Sequence, residues 1–355
     1  MKIRVTNVLV ALILMVVTSA EADDLECSQD AWVGCLGKPW VVGDEMPTPL
    51  GKVWWPHPLW GAEDQAGSTN WYKNPEVVLR ALAEADKGEV YSLGRFYDAD
   101  MPLFGARKFS LRILGSPTGG PLGSNKIIWN DEFLATEVGQ VGTQLDGLGH
   151  IGVQTGEAGD KSKMLFYNGF TAIDIEGAYG LKRLGVEKLH PIMARGVLLD
   201  IAATKGTESL DSGYEITMDD ISAALEMQGM KNFEFHQGDA VFFHTGWGKL
   251  WGVDNDRFKA SQPGIGMEVA KWISDEVQAG VVGSDTWATE VVPSSDPRCV
   301  FCVHQHLIVR HGIVNHENMT FESLLRAGVY VFLYSFSPAP IVGATGSMGA
   351  PIALD

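Results

Sequence analysis

Three largely apolar runs constrain this chain more than any other feature: 196–203 (GVLLDIAA), 239–247 (DAVFFHTGW) and 328–336 (GVYVFLYSF). A strand covered on both faces loses the alternation of a half-exposed one and reads as a short continuous apolar stretch. Helix signals interleave with these runs. Asn74 with Pro75 starts one helix, whose apolar face is read as Val78, Leu79, Leu82 and Ala85. Thr217 caps a second that carries Ile221, Ala224, Leu225 and Met227 and stops at Gly229. Amphipathic patterns over 267–277, ending before Gly280, and over 320–327 give two more. No repeat or linker interrupts the sequence, which predicts one mixed α/β domain from 60 to 355. The Gly/Pro-rich tail 340–354 is apolar enough to be packed.

The N-terminal end reads differently. Lys2 and Arg4 precede the apolar run 8–17, and Ala20 and Ala22 follow as an A-x-A cleavage site. That is the pattern of a secretory leader over 1–22, too short to span a membrane, and it predicts a periplasmic or secreted soluble protein. Residues 23–59 show no sustained period and read as an N-terminal arm. The formal net charge of −17, one unit more negative after cleavage, argues against nucleic acid and anionic membrane surfaces as partners. In an oxidising compartment Cys27, Cys35, Cys299 and Cys302 predict two disulfides, with three pairings open. Redox chemistry at Cys299 and Cys302, or zinc held by them with His304 and His306, are sharper alternatives to a structural bridge.

The densest polar chemistry lies in 140–150, QVGTQLDGLGH. On a strand Gln144 and Asp146 project from one face, with Gln140 two steps earlier, so three oxygen donors converge beside a titratable His150. GLGHIG also satisfies G-x-G-x-x-G, but no hydrophobic strand precedes it and no helix follows, which excludes a dinucleotide fold. The chain has no G-x-S-x-G nucleophile elbow.

The stretch 140–150 resembles the HxGTHxDxPxH signature of the cyclase family, which includes kynurenine formamidases, isatin hydrolase and trans-dienelactone hydrolases. WGAEDQAGSTNWYKNPEVVLRALAEA from Trp60 and YSLGRFYDADMPLFG resemble the opening of that family's longer members, which often read GTQxDG. The resemblance implies a swivelling β/β/α architecture on a mixed sheet, a homo-oligomer and a metal-dependent hydrolase of a small cyclic amide, lactone or N-formyl compound. By position it puts metal ligation on Gln140, Gln144 and Asp146 and acid–base catalysis on His150. From HQHLIVRHGIVNHENM it adds His304 and Glu317, leaving His311 and His316 on the solvent side and His306 without a role. Amides in place of two imidazoles weaken zinc and favour harder ions, so the cofactor is read as a divalent metal, manganese or zinc. Phe104 or Trp54 would wall the substrate.

Other residues carry plainer readings. His244, within an apolar strand, fits a satisfied core histidine, and His236 carries no functional reading. Asp285 and Thr286 either orient substrate or make a turn. The competing function is a non-catalytic small-molecule binder on the same scaffold, motivated by Gln140 and Gln144. A redox protein built on Cys299 and Cys302 is the third.

Overall fold

The computed structural model describes His57, residues 59–297 and 299–355, and the backbone of a short strand pair, Val33–Gly34 with Lys38–Pro39. The predicted leader, Cys27, Cys35 and Trp54 lie outside the described residues.

Nine strands build the main sheet: β1 Val90–Ser92, β2 Gln144–Asp146, β3 Ile192–Asp200, β4 Ala240–His244, β5 Val281–Ser284, β6 Val314–Glu317, β7 Val331–Phe336, β8 Gly346–Met348 and β9 Ile352–Leu354. Their order is β8-β2-β6-β5-β4-β3-β7-β9-β1. The central four, β3 to β6, are parallel, and every pairing outside them is antiparallel. This is the mixed α/β domain that the interleaved pattern predicts, and the tail is packed as β8 and β9.

Alternate residues of the central strands feed two cores. Val197, Leu199, Val241, Phe243 and Val282 point to one side, where Ile221, Ala224, Val269 and Ile273 cover them. Leu198, Phe242 and Val281 point to the other, against Val77, Phe321, Phe332 and Tyr334. Burial on both faces explains the continuous apolar runs, each such side chain contributing about 1.5–3 kcal/mol.

Helices α1 Pro75–Leu82, α2 Met218–Met227, α3 Met267–Lys271, α4 Cys302–His304 and α5 Glu322–Ala327 pack around this sheet. Asn74 accepts from the Glu76 amide with Pro75 in the first turn, and Thr217 forms a capping box with Asp220, as their sequences predict. The face of α1 is shifted from the predicted one. Val77 and Ala81 are buried, whereas Leu79 is 64% and Leu82 45% exposed. In PEVVLRALA most positions are apolar, so two adjacent stripes satisfy the helical period equally well.

Other boundaries move for local reasons. The run 196–203 is strand only to Asp200, whose carboxylate caps a short helix, Ile201–Thr204, by accepting from the Ala203 amide. The run 239–247 ends at His244, ahead of Gly246 in the left-handed region. The helix over 267–277 changes to a π-turn at Trp272–Val277, and α4 does the same over Gln305–Arg310.

Candidate active site

Antiparallel register between β2 and β6 sets Asp146 opposite Asn315 and Gln144 opposite Glu317. Residues opposite one another in a ladder share a face, so these four polar side chains stand together. Leu145 and His316, the pair between them, go to the other face and are fully buried.

The strand does not reach back to Gln140. Gly142 has φ 64° and lies so close to the Tyr97 ring that a Cβ there would come within 2.1 Å of it. The chain therefore enters β2 from a turn closed by the Gln140 amide on the Glu137 carbonyl. That turn still delivers Gln140, whose Nε2 is 3.3 Å from Asp146 Oδ1. Gly346 of β8 leaves the space, since a Cβ there would meet Leu145 O at 2.6 Å and Gln140 Nε2 at 3.3 Å.

His304 arrives from α4. Its Nε2 is 3.1 Å from Glu317 Oε1 and 3.6 Å from Asp146 Oδ2. Its Nδ1 is bonded to Glu290, which also accepts from the His304 amide at 2.9 Å and the Val303 amide at 3.3 Å. A histidine that spends Nδ1–H on a carboxylate keeps its Nε2 lone pair for a cation. Asn315 donates to Glu317 Oε1 at 2.8 Å and is held by Thr289 Oγ1 at 2.7 Å. Gln144 donates to Glu317 Oε2 at 2.9 Å, and Arg107 donates to Gln140 Oε1 at 3.3 Å. Both glutamines thus give amide nitrogens to the carboxylates, and offering oxygen to a cation requires each amide to turn over.

Electrostatically the site holds an excess of negative charge. Asp146, Glu290 and Glu317 are at most 3% exposed and surround one imidazole. Burial favours a neutral His304 ring, but its contacts with Asp146, Glu290 and Glu317 outweigh that and raise its proton affinity well above the ordinary range. Burial, together with the Asp146 charge, raises the Glu317 carboxyl. Asp146 is lowered despite its burial, through His150, His304 and Gln140. His150 goes the other way: burial depresses it, and the charges of His304 and Arg107 add to that against the opposing pull of Asp146. It is therefore a neutral ring at neutral pH.

Asp146, His304 and Glu317 present ligand atoms within 4.8 Å of one another, all buried. Asp146 Oδ2 accepts no hydrogen bond, His304 Nε2 standing 3.6 Å away, and that is an expensive condition for a buried carboxylate oxygen. A hard divalent cation meets both features, since it takes carboxylate and imidazole ligands and offsets the charge. The donor set fits the metal that the sequence implies.

Aromatic side chains border His304. Phe104 lies 4.3 Å from Trp287 between ring centroids, Trp287 is 6.0 Å from Phe301, and Phe301 is 5.5 Å from His304. Phe104 thus meets His304 through Trp287 and Phe301. Cys299 and Cys302 lie within bridging reach, with Cα atoms 5.7 Å apart, where α4 begins.

Two histidines are placed differently from expectation. His316 is fully buried because strand parity turns it into the core, where Tyr334 and Phe336 hold it. His311, 6% exposed, is turned inward by the π-turn, whose i to i+5 repeat brings it over His306 with ring centroids 4.5 Å apart. With Asp275 these form a second group of ligand atoms, but the Asp275 side chain is 59% exposed. A cavity of about 60 Å³, lined by His57, Trp60, Trp71, Ser274 and His311, adjoins that group rather than Asp146. His244 is a core histidine, 2.7 Å from Asp200, as expected. Asp285 organises a turn by accepting from Thr245 and Gly248.

Glu290, Asn315 and Arg107 escape the sequence reading. Glu290 follows Thr289 at positive φ in an irregular loop, where no periodicity marks its direction. Its one signal is an acid within 14 residues of a candidate ligand histidine.

The fold is shared with known structures. The chain aligns with a crystal structure of a novel cyclase at 30% identity, a TM-score of 0.70, and coverage of 84% of this chain and 96% of that one. It also aligns with isatin hydrolase A from Labrenzia aggregata bound to benzyl benzoate (17% identity, TM-score 0.53, 78% of this chain and 97% of that one). Isatin hydrolase A from Ralstonia solanacearum is similar (17%, 0.52, 79% and 97%). At that identity the likeness to the isatin hydrolases is one of fold. No curated protein matches the chain. Residues 62–291 match the family model described as "Putative cyclase", and the chain belongs to the cyclase family.

Proposed function

We propose that the protein is a metal-dependent hydrolase of a small cyclic amide, lactone or N-formyl compound. The observation that carries this reading is the buried group Asp146, His304 and Glu317, with one carboxylate oxygen accepting no hydrogen bond and a neutral His150 beside it. Its membership of the cyclase family and its fold likeness to isatin hydrolases support it.

Asp146, His304 and Glu317 would hold a divalent manganese or zinc ion, joined by Gln140 and Gln144 when their amides turn. Bound there, the ion supplies positive charge that polarises a carbonyl and acidifies water. His150 serves as general base because its neutral Nδ1 or Nε2 is free of charge at working pH, and it returns the proton to the leaving amine or alkoxide. Glu290 fixes the tautomer of His304. Arg107 anchors Gln140, and Phe104, Trp287 and Phe301 exclude water along one side of a flat substrate.

The same glutamines favour a second reading. Their amide nitrogens already satisfy Asp146 and Glu317, as a non-catalytic binder without metal would require. The test is turnover on a panel of cyclic amides, lactones and N-formyl anilides after chelation and after manganese or zinc is restored. Hydrolysis that depends on added metal and disappears in His150→Ala supports the enzyme. Ligand binding with no turnover under either condition supports the binder.

The predicted leader makes the working site of this chemistry the periplasm or the exterior. No helix among the described residues is long and apolar enough to cross a membrane.

A further inference from the structure

The helix that brings His304 to Asp146 runs on into a second group of side chains that the proposed chemistry does not use. His306, two residues further along, does not share a face with His304. It meets His311 and Asp275 instead, with one ligand atom from each within 4.8 Å of the others. Two π-turns build this group. Trp272–Val277 carries Asp275, while Gln305–Arg310 carries His306 and ends against His311. Helix α3, which leads into the first turn, packs on the second. Such turns are rare and recur at functional sites, where they aim side chains that an ordinary helical pitch would send elsewhere.

We propose that Asp275, His306 and His311 form a second metal site, distinct from the Asp146 group, for a divalent ion of the zinc class. Two imidazoles and one carboxylate are a donor set that zinc accepts, and three protein ligands leave a fourth position open.

Ser274 supports the geometry. Its hydroxyl donates to Asp275 Oδ1 at 2.7 Å and lies 2.9 Å from His306 Nε2, while His311 Nε2 is 4.0 Å from the same Asp275 oxygen. Prospective ligands tied through one hydroxyl are oriented before an ion arrives. Both histidines are buried, whereas the Asp275 side chain faces solvent and gives the ion an entry path. The cavity of about 60 Å³ shares Ser274 and His311 with this group, and His57, Trp60 and Trp71 line the rest of it. It leaves room beside the ion for water or another small donor.

Charge decides which ion fits. Arg310 lies close enough for its charge to act on both His311 and Asp275. It offsets the single carboxylate, so the group has no net negative charge to draw a hard cation, and affinity must come from the imidazoles. Imidazole favours zinc, copper and nickel over magnesium and calcium. The Asp146 group, with its carboxylates, has the opposite bias. This second site does not depend on the hydrolase reading.

The test is isothermal titration of tag-free, chelator-treated protein with zinc chloride, repeated in excess magnesium. Wild type should take up two equivalents, and Asp146→Asn, which disables the first site, should keep one. Adding His311→Gln to Asp146→Asn should abolish that remaining equivalent. Asp275→Asn in the same background changes only an exposed side chain, so the metal-free melting temperature should hold while zinc affinity falls about 100-fold, the upper range for loss of an orienting partner. Zinc should raise the melting temperature of Asp146→Asn but not of the variant that also lacks His311. The proposal is overturned if Asp146→Asn takes up no zinc, if excess magnesium displaces the ion, or if neither His311→Gln nor Asp275→Asn weakens it. A single equivalent in wild type that survives Asp146→Asn and vanishes with His311→Gln upholds this site and removes the ion from Asp146.

Discussion

Replacing Glu290 with glutamine tests the part of the site that the sequence conceals. Glu290 accepts the Nδ1 proton of His304 and the amides of His304 and Val303, and it is 2% exposed. Glutamine has one oxygen where glutamate has two. Its amide nitrogen must then face an N–H donor, and one buried bond is lost at a cost of about 1–3 kcal/mol. The greater effect falls on His304. Without the carboxylate its ring is freer to turn and its Nε2 is less basic, and loss of such a partner usually costs about 10–100-fold in metal affinity. That corresponds to about 1.4–2.8 kcal/mol. Isothermal titration with manganese or zinc, at fixed pH on chelator-treated protein, measures this directly, with urea denaturation of the same sample giving the stability loss. The reasoning is refuted if Glu290→Gln binds metal as tightly as wild type. It is refuted equally if the stability loss appears while the metal isotherm and its pH dependence stay unchanged.

Three further outcomes are expected. In His150→Ala, turnover should vanish while melting temperature and metal content hold; wild-type activity should extend below the ordinary imidazole range near pH 6.5, because burial depresses His150, and a limb above that value would contradict its role. Burial pushes the pKa of His316 down to about 3, with Asp146 opposing weakly, so the unfolded chain takes up a proton near 6.5 that the native ring refuses. Stability linked to this ring is complete above pH 6.5 and falls at about 1.4 kcal/mol per unit as pH drops toward 3; His316→Gln should flatten that slope in urea unfolding series, and an unchanged slope would assign it elsewhere. Trp287→Ala should raise KM for a flat cyclic substrate far more than it lowers kcat, and a pure kcat loss would remove it from the wall.

The sequence discloses local features of this molecule better than long-range ones. The caps at Asn74 and Thr217 and the both-face burial of β3 and β4 are legible because each depends on neighbours in the chain. Gln144 and Asp146 share a face by strand parity alone, and His304 and Glu317 join them as the family resemblance implies. The parity that groups Asn315 with Glu317 also sends His316 inward, and no one can apply it before knowing where β6 begins. The π-turn over Gln305–Arg310 hides His311 for a similar reason, since a helix of ordinary pitch would carry it away from His306. Glu290 and Arg107 reach the site by loop geometry that no period encodes. The exposure of the hairpin Phe109–Ile113 with Glu132–Thr136 is invisible too, because FSLRI alternates as a half-buried strand would.

The central claim is that Asp146, His304 and Glu317 hold a divalent cation. The most direct measurement is elemental analysis of protein purified without chelator and titrated with manganese and zinc, beside Asp146→Asn. The account predicts one tightly held equivalent per chain at this site, lost in the variant while the fold survives. Protein that takes up no divalent ion, or an Asp146→Asn variant that holds it as tightly as wild type, would contradict it.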